Sequence, residues 1–127
     1  MPARDTTINA VKVPTFSAES SRDKNAIIIS MSGNADTVVY EQLKTFLDEV
    51  HGAASRAEVD EAVFEVKDLY FMNSSCLSLF LRLINMIIES KNVAKYKIRF
   101  RANPNLRWQK KSLQAIVSYA REIVSVE

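Results

Sequence analysis

The stretch Ala62-Val63-Phe64-Glu65-Val66-Lys67-Asp68-Leu69, followed by Tyr70-Phe71-Met72 and then Asn73-Ser74-Ser75-Cys76-Leu77, decides the fold. Ala62–Leu69 reads as a strand. Val63, Phe64 and Val66 pack, while Glu65 and Lys67 fall on the face opposite Phe64. Asn73-Ser74-Ser75 is a run of helix-capping residues, and the chain beyond it is almost wholly apolar to about Ser90. That pattern predicts a helix of roughly four turns. A strand feeding straight into an apolar helix is a βα unit.

Working outward, more such units appear. Towards the N-terminus, Ala26–Met31 is an isoleucine-rich run between Asn25 and Gly33 and reads as a buried strand. Asp36 can open a helix after it. Val39, Leu43, Phe46, Leu47 and Val50 recur at helical spacing from about Val38 to His51, with Gly52 as the stop and 53–60 as a connector. Before these, Val11–Phe16 reads as an edge strand because Pro14 cannot donate to a ladder, and Ser20–Asn25 reads as a polar turn. Towards the C-terminus, Tyr96–Arg101 alternates strictly and reads as a half-exposed strand. Asn103-Pro104-Asn105 is a turn, Leu106–Ala120 a last helix and Ile123–Val126 a short final strand. The expectation is an α/β fold with a mixed, mostly parallel sheet of four to five strands packed with three to four helices, its opening strands paired as a hairpin. Residues 1–8 read as a flexible entry and 9–127 as a single domain.

Composition removes several function classes. With 47% apolar and 25% charged residues the chain reads as globular rather than disordered. It has no apolar stretch of the roughly 18 residues a membrane span needs and no secretory-type N-terminus, so a cytoplasmic protein is expected. The one cysteine, Cys76, and the one histidine, His51, supply no zinc set, and no cofactor is implied. The net charge of +2 hides an asymmetry. Lys91, Lys95, Lys97, Arg99, Arg101, Arg107, Lys110, Lys111 and Arg121 lie in a stretch without an acid, which could offer a positive face to an anionic partner.

The strand-to-helix junction carries the functional signal. Ser74, at or near the N-cap of the apolar helix, would place a phosphate at the positive end of the helix dipole. About −1.5 to −2 charges there would break an apolar interface by charge and desolvation. The helix's polar residues Ser75, Ser78, Arg82, Asn85 and Glu89 form one narrow stripe. Leu77, Leu81 and Ile88 belong to its broad apolar face, part of which would suit a partner or a homodimer.

At these residues the sequence resembles the STAS family, whose members include the anti-sigma factor antagonists of partner switching. In that family an acidic strand residue is followed eight positions later by Asp-Ser-Ser-Gly. Here Glu65 is followed eight positions later by Asn73-Ser74-Ser75-Cys76. Ile27 to Asp36, Ile-Ile-Ile-Ser-Met-Ser-Gly-Asn-Ala-Asp, resembles the family's second strand and Gly-x-x-Asp turn. Asn73 and Cys76 depart from the motif's aspartate and glycine. The resemblance implies a STAS, anti-sigma factor antagonist-like fold and a binding protein that is not an enzyme. It implies that the unphosphorylated form binds an anti-sigma factor or related serine kinase, that Ser74 is the phosphoacceptor, and that a metal-dependent serine phosphatase restores the binding form. The partner surface it implies is Asn73, Ser74, Ser75, Cys76, Leu77 and Ser78.

Three other readings stand beside this one. A non-phosphorylated STAS-like adaptor, in a lipid-transport or signalling complex, would bind its partner regardless of Ser74. A nucleic-acid binder would use Trp108 and the basic C-terminal quarter, a weak signal with a lone tryptophan. A thiol enzyme would need Cys76 activated by a nearby base.

Overall fold

The computed structural model describes residues 8–57, 59–90 and 96–127. Its strands are β1 (Val11–Val13), β2 (Phe16–Asp23), β3 (Ala26–Ala35), β4 (Glu61–Met72), β5 (Lys97–Arg101) and β6 (Val124–Val126). Its helices are α1 (Tyr40–Ala57), which follows a 3-10 turn at Thr37–Val39, α2 (Ser74–Glu89) and α3 (Arg107–Tyr119). The six strands form one sheet in chain order. β1, β2 and β3 pair antiparallel, and β3 to β6 pair parallel through the three helices as crossovers. The mixed α/β architecture expected from the sequence is therefore present, with one strand more.

The extra strand corrects the reading of the N-terminal third. Val11–Phe16 is not one strand: Pro14 and Thr15 turn the chain, and Phe16–Asp23 pairs with β3 from Phe16 opposite Gly33 to Asp23 opposite Ala26. The polar turn expected at Ser20–Asn25 shrinks to Lys24 and Asn25, with Lys24 in the left-handed region at φ 55°. Only Phe16 and Ala18 of β2 are buried, so past Ala18 the strand has no apolar alternation to read. Its polar half is held by backbone pairing to an apolar neighbour. The stop at Gly52 is likewise overturned, since α1 runs through it to Ala57. Ala53 and Ala54 are buried against the core, and this packing offsets the roughly 1 kcal/mol that a helical glycine costs.

One face of the sheet and all three helices share the core. Ile29, Phe64, Phe100 and Val126 lie in register across β3 to β6, and the first three are fully buried. Leu43, Phe46, Leu47 and Val50 of α1, Leu79, Phe80, Leu83 and Ile84 of α2, and Leu113 and Ile116 of α3 close over them. The opposite face is polar, with Ser17 hydrogen-bonded to Ser32 at 2.7 Å and Lys12 paired with Glu19.

At one edge of this core His51 Nδ1 lies 2.9 Å from the buried hydroxyl of Tyr96. Burial pushes the His51 pKa below its usual 6.5, against the opposing pull of Asp48. Burial also raises the Tyr96 hydroxyl, which stays protonated and shares a hydrogen bond with the neutral ring. A histidine with a lowered folded pKa contributes stability above 6.5 that is lost as pH falls below 6.5 through the lower folded value. Thermal melts from pH 8 to 5 should therefore show a steeper loss for the wild type than for His51→Gln, which does not titrate. Identical slopes would remove His51 as a source of acid sensitivity.

Candidate functional site

β3 and β4 reach their carboxyl ends together. Ala35 is in register with Met72, and the Asn73 N–H donates to the Ala35 carbonyl at 2.9 Å. Each chain then turns on a capping side chain. Asp36 accepts from the Val38 N–H at 3.1 Å and opens the 3-10 turn. Asn73 caps α2, its Oδ1 accepting from the Cys76 N–H at 2.9 Å. The same side chain donates through Nδ2 to Thr37 Oγ1 at 3.3 Å, so one carboxamide joins both turns. An aspartate could accept the first bond but not donate the second. Sequence reasoning places Ser74 at or near the N-cap. The structure gives that role to Asn73 and makes Ser74 the first residue of α2.

The implied partner residues separate by exposure. Ser74, Ser75 and Ser78 are exposed, Asn73 and Leu77 are half-buried, and Ser78 Oγ donates to the Ser75 carbonyl at 2.6 Å. Cys76 is fully buried, its Sγ 3.4 Å from the Asp36 carbonyl it donates to. It is therefore a packing residue between the two turns and drops out of the contact surface, a correction that follows from the third residue of α2 facing the core. Beside the serines lies a cleft of about 440 Å³ lined by Thr37, Tyr40, Glu41, Ser75 and Ser78.

The sequence reading missed an apolar rim on these same segments. Val38 is 83% exposed on the 3-10 turn, and Tyr70 and Phe71 are 57% and 47% exposed where β4 ends. Val38 falls just off the stripe of α1, which is the signal that could have found it. For Tyr70 and Phe71 the sequence holds no such signal, because their outward turn follows register shifts of β4 against β3 between Ser30 and Ser32 and between Gly33 and Asn34. Isolated exposed apolar side chains are ordinary, but these three lie on the segments that frame one helix start.

Solved structures that share this architecture include two anti-sigma factor antagonists. An anti-sigma factor antagonist from Mycobacterium paratuberculosis superposes with a TM-score of 0.61 at 14% identity, over 86% of each chain. The anti-sigma factor antagonist SpoIIAA in its unphosphorylated form superposes with a TM-score of 0.54 at 17% identity, over 87% of each chain. The fold is that of the anti-sigma factor antagonists, the STAS fold. No family model and no curated protein matches the sequence.

Elsewhere on this STAS fold several of the groups named in the competing readings are engaged in other contacts. Arg99 pairs with Glu61 at 2.8 Å and with Glu127, and Arg101 pairs with Glu65 at 2.5 Å and with Glu127. The two arginines of β5 are therefore compensated, because parallel pairing sets them beside Glu61 and Glu65 of β4 and Glu127 follows the neighbouring β6. Lys91 and Lys95 lie outside the described residues. Trp108 is partly buried against the core, with its indole nitrogen turned inward. Burial and then Asp36 push the Cys76 thiol upward, opposite to what a nucleophile requires, and His51 is engaged with Tyr96. Among the described residues no group of three or more His, Cys, Asp or Glu could hold a metal, and no helix is long and apolar enough to cross a membrane.

Proposed function

We propose that this protein is a regulatory binding module of the anti-sigma factor antagonist kind, switched by phosphorylation of Ser74. The observation that carries the proposal is the exposed Ser74–Ser75 pair on the first turn of α2, flanked by the apolar Val38 and Phe71. Unphosphorylated, this surface buries its apolar rim against an anti-sigma factor or related serine kinase. The contact centres on Ser74, Ser75 and Ser78, with Asn73 and Leu77 at its base. The Ser74 and Ser75 N–H groups at the start of α2 have no intrahelical acceptor, so a phosphate on Ser74 is held there by these N–H groups and the helix dipole. It leaves the fold intact and places a double charge where the partner's apolar groups must sit.

Between the two serines, geometry favours Ser74. Ser75 lines the cleft with Glu41, whose carboxylate opposes a phosphate at that position, whereas Ser74 does not line that cleft. A serine phosphatase would complete the cycle by removing the charge. Phosphopeptide mass spectrometry of the protein from its native cells, with and without serine phosphatase treatment, tests the switch. The expected result is a phosphatase-sensitive phosphate on Ser74. Full peptide coverage with Ser74 unmodified across growth conditions would replace this reading with that of a constitutive adaptor.

A further inference from the structure

β5 stops pairing with β4 at Arg101 opposite Glu65, yet β4 continues to Met72 and delivers Asn73 and Ser74. Along that extension β4 also slips twice against β3. Side-chain amides take over where the strand runs out. Gln109 Nε2 donates to the Val66 carbonyl at 2.6 Å and the Leu69 carbonyl at 3.0 Å, and its Oε1 accepts from the Asn103 N–H at 2.8 Å. Asn103 Nδ2 donates to the Lys67 carbonyl at 2.9 Å, while its Oδ1 accepts from the Asn105 N–H at 2.9 Å. Gln109 is the one buried polar or charged residue among the described residues, and both ends of its carboxamide are used.

We infer that Gln109 and Asn103 are positioning residues for the Ser74 junction: a two-amide clamp from the first turn of α3 and the turn before it that fixes the bulged end of β4 and hence the direction in which Asn73 and Ser74 leave the sheet. The junction is otherwise held by β3 on one side and by the apolar packing of Leu69 and Met72. A bulged strand is locally bent and unpaired, so its last residues follow whatever satisfies its carbonyls. The start of α3 thereby sets the geometry of a surface on another helix. The functional part of this inference rests on Ser74 as the contact and modification site.

Amide hydrogen exchange by NMR on the full chain tests it. Gln109→Leu removes the amide at similar volume, Asn103→Ala removes only the outer half of the clamp, and Leu113→Ala is the control, a core loss on the same helix. In Gln109→Leu the amides of Cys76 and Leu77 should exchange about ten-fold faster relative to those of α1. Asn103→Ala should move them the same way by less, and Leu113→Ala should speed both regions alike. An unchanged ratio overturns the clamp, and if Gln109→Leu does not fold, Asn103→Ala decides. Ser74 phosphate occupancy in native cells is measured in parallel and should fall in Gln109→Leu. Occupancy equal to wild type overturns the functional part, whereas absence of phosphate from the wild type defeats the Ser74 reading and leaves the exchange ratio to judge the clamp.

Discussion

Phe80→Ala will lower stability by about 3–5 kcal/mol, read as a fall in the urea midpoint at unchanged slope. Phe80 projects from α2 onto the rings of Phe64 and Phe100, each 5.2 Å away in edge-on geometry, and the two sheet rings lie 5.5 Å apart. All three are at most 1% exposed. Truncation removes the transfer energy of a phenyl group, leaves a cavity between rigid elements and abolishes two ring contacts. Against a total of about 5–15 kcal/mol for a domain this is a large fraction. Phe71→Ala is the matched comparison: the same residue type, half-exposed at the Ser74 rim, costs within about 0.5 kcal/mol while weakening partner binding. Equal losses for the two would mean that α2 does not dock as described.

Gly33→Ala will cost about 2–4 kcal/mol, and its effect will centre on the candidate site. Gly33 has φ 94°, and a Cβ there would fall 2.1 Å from the Thr15 carbonyl oxygen. That oxygen also accepts from the Asn34 N–H at 2.8 Å. An alanine must therefore adopt a strained φ and push away the backbone group that its neighbour needs. Because Gly33 precedes Ala35 and Asp36, which join β3 to the Asn73 cap, partner binding and stability should fall together. Gly52→Ala supplies the opposite sign. That residue lies inside α1, where a Cβ meets only the flexible end of Arg56 at 3.3 Å, so a gain of about 0.5–1 kcal/mol is expected. Urea titrations of both variants decide; a neutral Gly33→Ala would show that the β2–β3 approach relaxes readily.

The legible parts of the fold were those with dense local signal. α2 and α3 end within a residue of where their apolar spacing and turn residues place them, and β5 shows its alternation directly. The misread parts carry a local signal that tertiary context overrides. Ser20–Asp23 reads as a turn because it is polar, and Gly52 reads as a stop because glycine weakens helices. One is strand because β3 supplies its partners, and the other is helix because Ala53 and Ala54 have a core to bury against.

At the candidate site the division is finer. The run Asn73-Ser74-Ser75, set between a strand and an apolar helix, by itself determined that a helix starts there and that serines stand on its first turn. Capping chemistry and hydrophobic spacing act over a few residues and can be read in order along the chain. Only the tertiary structure decided that Asn73 is the cap, that Cys76 faces inward, that Glu61, Glu65 and Glu127 neutralise the basic strand, and that Gln109 holds the carbonyls of β4. The ion pairs and the Gln109 contacts join residues 26 to 43 positions apart, and the inward turn of Cys76 depends on which side of a helix meets the sheet. Such contacts exist only once burial and strand register have brought distant segments together.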